Sequence, residues 1–237
     1  MLARMFTILY QDEHLVAIDK PSGALVHRTA TSREGHIVLQ GLRDQLGRWV
    51  WPVHRLDRAT SGVLLLALDP ETASALARQF KERSVDKRYL ALVRGWPEAS
   101  GVIDRPVHTG EHRNPEEKKP AVTEYRRLAQ VELPVEVDRY PTSRYALVEA
   151  HPVTGRYQQI RQHLKKISHP IIGDTTWGNG KHNRFFRERY GIRRLMLHAV
   201  RLAFTHPASG DPLAVEAPVD GQWRGLFREF GWEEPEL

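Results

Sequence analysis

The alternation of apolar and polar positions along the chain predicts many short strands with a few helices between them. Residues 6–27 are typical of two strands around the polar turn QDEH, and residues 62–69 form an apolar run that fits a buried strand. Further strand-like stretches cover residues 87–95, 121–128, 144–153, 194–206 and 212–218. Because strands outnumber helices and do not alternate regularly with them, the pattern favours an α+β fold with a mixed, mainly antiparallel sheet flanked by helices.

Four segments have the spacing of helices. Apolar residues fall on one helical face within residues 36–47, 155–167 and 221–232. The clearest helix start is Asp69, an N-cap residue, with Pro70 at the first helical position. The apolar stripe of that helix consists of Ala73, Leu76, Ala77 and Phe80.

Two polar stretches interrupt this pattern without dividing the chain. Residues 108–120 are charged and carry two prolines, and residues 178–194 form a basic insertion that we expect to be a solvated loop. No internal repeat and no long linker is present, so residues 1–237 are expected to form one domain.

Composition narrows the possible functions. The chain has no cysteine, which excludes disulfides, thiolate nucleophiles and cysteine-ligated metals. It has neither a run of about eighteen apolar residues nor the apolar core of a secretion signal, so we expect a cytoplasmic protein with no membrane span. The net charge of +6 indicates a polyanionic partner such as nucleic acid, although many basic proteins bind none.

The segment HRLDRATSG places one carboxylate, Asp57, between Arg55 and Arg58, just before the apolar run. His54 is the one potential metal ligand close by in sequence, and the motifs of serine hydrolases, P-loops and dinucleotide sites are absent. An ionised aspartate held by arginines suits nucleophilic or general-base chemistry without a metal. A structural salt bridge is the alternative.

The predicted helix at 155–167 places Arg161 beside the apolar face that contains Ile160. A partly desolvated guanidinium needs an anionic partner, and Asp57 is a candidate. An Asp57–Arg161 ion pair would keep the acid ionised and oriented. The alternative is that Arg161 extends its charge into solvent.

Taken together, several motifs resemble the RluA-type family of pseudouridine synthases over roughly residues 6–232. HRLDRATSG (54–62) is similar to that family's central motif. The other motifs, in chain order, are DKPSGALVH (19–27), KRYLALVRG (87–95), TGRYQQIRQHL (154–164), HPIIGD (169–174), RLMLHA (194–199) and HPASGDPL (206–213). The chain departs from the family pattern at Asp19, where Asn is usual, and at Gln158, where His is usual.

The resemblance implies a pseudouridine synthase fold and a role for each matched residue. Asp57 is the implied catalytic aspartate, Arg161 its ion-pair partner, and Tyr89 the ring that packs on the uracil and helps to remove the C5 proton. For RNA and base binding, the motifs imply Arg55, near the space vacated by the base, Leu197 in the base pocket, and also Lys20 and Arg156. A purely structural role for Lys20 stays open.

The implied reaction detaches uracil from ribose at N1 and reattaches it at C5, with no metal and no cofactor. The target base must first be flipped out of its stack. Asp57 would either attack the nucleotide covalently or deprotonate the sugar to give a glycal, and both routes need an ionised carboxylate. A binding module that has lost the reaction and a metal-dependent nuclease are the competing interpretations.

The connecting segments look most like those of a subgroup that modifies uridine 65 of certain tRNAs, with 23S ribosomal RNA as the alternative substrate. We expect no N-terminal S4 RNA-binding domain before the catalytic fold, and we expect a monomer.

Overall fold

The computed structural model describes residues 5–27, 37–110 and 117–236. Contacts divide the chain into two compact units, each built from two separate segments. Unit 1 comprises Met1–Lys87 and Ala199–Pro218, and unit 2 comprises Arg88–His198 and Val219–Leu237. The single catalytic domain over residues 1–237 stays a prediction.

Every stretch predicted to be a strand or a helix contains one, and the described residues hold four further strands and one further helix. The strands are β1 Thr7–Gln11, β2 Leu15–Lys20, β3 Trp51–Pro52, β4 Ser61–Ala67, β5 Asp86–Arg94, β6 Ser100–Asp104, β7 Val107–His108, β8 Lys118–Lys119, β9 Val122–Leu133, β10 Ser143–Pro152, β11 Leu197–Thr205 and β12 Pro212–Glu216. The helices are α1 Val38–Leu46, α2 Pro70–Glu82, α3 Gln159–Lys166, α4 Gly180–Tyr190 and α5 Gly221–Phe230. Paired strands run antiparallel in both units, as β2 does with β4 and β9 with β10. The α+β class with a mainly antiparallel sheet is therefore confirmed.

In unit 1 the strand order is β1, β2, β4 and β11, with β3 on β4 and β12 on β11. Every residue of β4 is buried, which explains why its sequence is continuously apolar rather than alternating. Leu15 of β2 and Leu65 of β4 share a core with Leu76 of α2. The predicted start of α2 is confirmed, because the Asp69 carboxylate accepts a hydrogen bond of 2.7 Å from the backbone N–H of Thr72.

In unit 2 the strand order is β5, β10, β9 and β6, and β7 pairs with β8. Helix α3 packs against β9 and β10, and Trp223 of α5 is fully buried. Of the predicted loop at 108–120, residues 111–116 lie outside the described part of the chain. No helix in the described part is long and apolar enough to cross a membrane.

The basic insertion at 178–194 is a helix over most of its length, so the expectation of a solvated loop is wrong. The Asn179 side chain caps α4 by accepting hydrogen bonds from two backbone N–H groups of its first turn. His182, Phe186 and Tyr190 recur every four residues, and the first two are buried. The sequence therefore contained a helical face, which its many exposed charges concealed.

Gly62 lies in β4 where no side chain fits. Its φ is +108°, and an added Cβ would lie 2.2 Å from the carbonyl oxygen of Ala199. Since backbone cannot easily move aside, Gly62→Ala should lower the free energy of unfolding by more than about 2 kcal/mol. The control is Gly225→Ala in α5, where an added Cβ meets no atom within 4 Å and a gain of up to about 1 kcal/mol is expected. Urea unfolding measures both, and equal stabilities would contradict the prediction.

Candidate active site

Asp57 lies in a turn between β3 and β4, directly after the buried Leu56. The carbonyl oxygen of Asp57 accepts a hydrogen bond of 3.1 Å from the backbone N–H of Thr60, which closes the turn. Asp57 is half-buried, whereas Arg55 and Arg58 are exposed. The carboxylate is thus held by the turn that precedes the most buried strand of unit 1.

A second turn, formed by residues 20–24, docks onto the Asp57 turn. The Ser22 hydroxyl donates to the carbonyl of Ala59 at 2.7 Å, and the backbone N–H of Gly23 donates to the carbonyl of Arg58 at 2.7 Å. The Arg58 side chain returns a hydrogen bond of 3.1 Å to the carbonyl of Gly23. Arg58 is therefore more than an ordinary surface residue, because it fastens the two turns together.

Lys20 is the buried centre of this contact, with no exposed surface. Its ammonium donates to the carbonyls of Pro21 at 3.0 Å, Ala24 at 2.9 Å and Arg58 at 3.2 Å. Burial lowers the pKa of Lys20 to about 7, although the negative charges of Asp57 and Asp19 act in the opposite direction. These contacts support the structural role that the sequence left open for Lys20.

His54, at the start of the same motif, is a structural acceptor. Its Nε2 accepts a hydrogen bond of 2.9 Å from the backbone N–H of Leu65, and its ring stacks on Phe80 at 4.7 Å between centroids. Burial lowers the pKa of His54 to about 3, and the charge of Lys87 adds to this effect. The imidazole is consequently neutral at ordinary pH and fixes the register of β4.

Arg161 is buried, as the helical pattern suggested, and the structure pairs it with Asp174. Its Nε lies 2.7 Å from one carboxylate oxygen of Asp174, and its Nη2 lies 2.8 Å from the other. Asp174 also accepts backbone N–H groups of Thr176 and Trp177. Asp174 is the last residue of the motif HPIIGD, and its place in that motif was the signal in the sequence that could have identified it.

The start of α3 is fixed by two glutamines. The Gln159 side chain accepts hydrogen bonds from the Thr154 hydroxyl at 2.7 Å and the Arg156 backbone N–H at 3.0 Å. Gln158, where the family usually has His, adopts a left-handed conformation, and its side chain accepts a hydrogen bond of 2.7 Å from the Trp177 indole. The substitution therefore has a defined hydrogen-bond partner. Arg156 itself is exposed.

The remaining predicted residues lie on strands, and both belong to unit 2, since only the first two residues of β11 fall in that unit. Tyr89 is half-buried on β5, opposite Ala150 of β10, and Leu197 is buried at the start of β11. Arg55, Asp57 and Lys20 belong to unit 1, whereas Tyr89, Leu197, Arg156 and Arg161 belong to unit 2. The Asp57–Arg161 ion pair stays a prediction. Within the described residues, no group of three or more His, Asp or Glu side chains is placed to hold a metal ion.

Asp174→Asn keeps the shape of the side chain and removes the negative charge beside a buried guanidinium. Because an uncompensated buried charge remains, the free energy of unfolding should fall by about 3–5 kcal/mol. Asp138→Asn is the matched control, since its partner Lys181 is exposed and such pairs contribute little. Thermal unfolding of both variants measures the difference. A loss no larger than that of the control would show that the Arg161–Asp174 pair does not stabilise the fold.

Comparison with known proteins identifies the family of the chain. Residues 14–166 match the family model described as RNA pseudouridylate synthase. The chain is 48% identical to tRNA pseudouridine synthase C of Vibrio cholerae serotype O1, covering 97% of this chain and 98% of that protein. It is 50% identical to tRNA pseudouridine synthase C of Pectobacterium carotovorum, covering 97% of this chain but 63% of that longer protein. The structure of human RNA Pseudouridylate Synthase Domain Containing 4 is 25% identical, with a TM-score of 0.76 over 97% of this chain and 95% of that chain. The chain therefore belongs to the RNA pseudouridylate synthase family.

Proposed function

We propose that this protein converts a uridine of tRNA, at position 65, into pseudouridine, with Asp57 as the catalytic carboxylate. The observation that carries the proposal is the Asp57 turn, which Lys20 and the 20–24 turn hold beside the buried strand β4. The two bacterial relatives are named tRNA pseudouridine synthase C, which favours tRNA over 23S ribosomal RNA. Position 65 is what the resemblance of the connecting segments implies.

The reaction breaks the bond between N1 of uracil and the ribose and forms a bond from C5 to the same sugar carbon, while C5 loses its proton and N1 gains one. Asp57 acts either as a nucleophile toward the nucleotide or as a base toward the sugar. We assign Arg161 as its ion-pair partner. Asp174 occupies the Nε–Nη2 edge of that guanidinium, and an arginine has further donors on Nη1 that suit a second carboxylate.

Tyr89 and Leu197 form the proposed contact with the flipped base. A half-buried aromatic ring can stack on uracil, and a buried leucine gives the ring an apolar wall. Arg55 and Arg156 are exposed cations, which suits contacts with the RNA backbone or with the space vacated by the base. Lys20 acts on the RNA only through the turn that it holds.

The proposed reaction is an isomerisation, so it consumes no redox equivalent and no co-substrate. We therefore propose that the enzyme works without a cofactor or metal ion, with tRNA as its partner, as a monomer in the cytoplasm. The net charge of +6 fits a polyanionic substrate.

Asp57→Asn should abolish pseudouridine formation in tRNA while the affinity for tRNA stays within a few fold. The amide has nearly the same shape but can neither attack nor accept a proton at the required strength. Asp44→Asn is the control, because Asp44 is an exposed carboxylate on α1 of the same unit. Tritium release from tRNA labelled at C5 of uridine measures turnover, and filter binding measures affinity. Full activity of Asp57→Asn would refute the assignment.

Mapping pseudouridines in total RNA from a strain that lacks the gene tests the choice of substrate. We expect loss of one tRNA pseudouridine, at position 65, with ribosomal RNA unchanged. The wild-type gene should restore the site, and the gene carrying Asp57→Asn should not. Loss of a pseudouridine in 23S ribosomal RNA, with tRNA unaffected, would replace the proposed substrate by the ribosomal one.

A further inference from the structure

Unit 2 contains a pocket of about 490 Å³ that none of the roles above uses. Its walls come from the end of β5, the segment between β9 and the start of β10, Ser168 just beyond α3 and the first turn of α4. The volume is large enough for a mononucleotide and exceeds the needs of a single phosphate ion. Its lining combines an aromatic ring, that of Tyr140, with charged side chains, which suits a polar ligand that contains an aromatic ring.

His182 is a buried and neutral part of the wall. Only 3% of the residue is exposed, and its Nδ1 is hydrogen-bonded to the Tyr145 hydroxyl at 2.9 Å. Burial, and after it the positive charge of Arg94, lower the pKa of His182 to about 4. The ring therefore adds no positive charge to the pocket.

Arg94 gives the pocket its charge. Its side chain makes no hydrogen bond or ion pair with the part of the chain that the structure describes, although its charge acts on Asp138. The Asp138 carboxylate is itself paired with Lys181 at 2.5 Å, which largely neutralises it. The pocket therefore offers one unpaired guanidinium, the group best suited to a phosphate.

Tyr140 supplies an aromatic surface at the same pocket. It is 53% exposed, and the Arg139 guanidinium lies 5.0 Å from the centre of its ring. An exposed ring beside cations is the usual platform for stacking an unpaired base. The α4 wall continues outward into exposed cations, among them Arg184 and Arg187, which extend the positive surface from the pocket.

We propose that this pocket binds one unpaired nucleotide of the tRNA substrate, with its base on Tyr140 and its phosphate at Arg94. The inference rests on the proposed function for the identity of the RNA. It adds a second point of contact, in which a nucleotide other than the target uridine is bound by stacking and charge.

Steady-state kinetics with a full-length tRNA transcript test the pocket. Tyr140→Ala should raise KM about tenfold, which corresponds to the loss of one base stack, with a much smaller change in kcat. Tyr140→Phe keeps the ring and should restore most of the affinity. Arg94→Gln should also raise KM and should reduce the salt dependence of binding by about one phosphate contact. Arg228→Gln removes an exposed cation of α5, outside the pocket, and should match the wild type.

A chemical footprint identifies the bound nucleotide. In complexes with Asp57→Asn, one nucleotide besides the target uridine should lose reactivity toward a ribose-acylating probe, and Asp57→Asn/Tyr140→Ala should restore that reactivity. If the wild type is active but Tyr140→Ala and Arg94→Gln behave like Arg228→Gln, the pocket is refuted and the proposed function stands. If the wild type does not turn over tRNA, the proposed function fails. Filter binding with the same variants then decides separately whether the pocket binds RNA.

Discussion

The buried ammonium of Lys20 is the interaction on which the Asp57 turn depends. It bonds to carbonyls of Pro21 and Ala24 in one turn and of Arg58 in the other, so a single side chain ties together two segments far apart in sequence. Burial disfavours the charged form of Lys20 and lowers its pKa, and the nearby carboxylate of Asp57 acts in the opposite direction.

Arg161, the second buried cation, also finds hydrogen-bond acceptors for its donors, but of a different kind. Lys20 has three donors around one atom and meets three separate carbonyls. Arg161 has a planar fork and meets both oxygens of one carboxylate, that of Asp174. Exchanging the two cation types would leave acceptors unmatched in either place. Each unit thus contains a buried positive charge whose side chain matches its acceptors, and in both cases the partners rather than the cation alone determine its orientation.

Features set by local sequence could be predicted, and features set by distant partners could not. The strand β4 and the start of α2 were predictable, because apolar runs and an Asp69 cap act within a few residues. The catalytic role predicted for Asp57 came from motifs, since spacing alone left a structural salt bridge as the more common alternative. Asp174 was missed because partner choice for a buried guanidinium is a tertiary property. Helix α4 was not predicted because the aromatic contacts that stabilise it include a distant residue. Phe186 and Tyr190 of α4 pack against Phe230, which is at least forty residues further along the chain.

The cations of this chain fall into two electrostatic environments, and the net charge of +6 does not distinguish them. Lys20 and Arg161 are buried, so dissolved salt screens their interactions weakly. Arg55, Arg156 and the cations on α4 are exposed, where salt competes directly for phosphate. In the proposed function the exposed cations therefore account for a salt-dependent attraction to RNA. The buried cations instead hold groups of the protein itself, Lys20 at the Asp57 turn and Arg161 at Asp174.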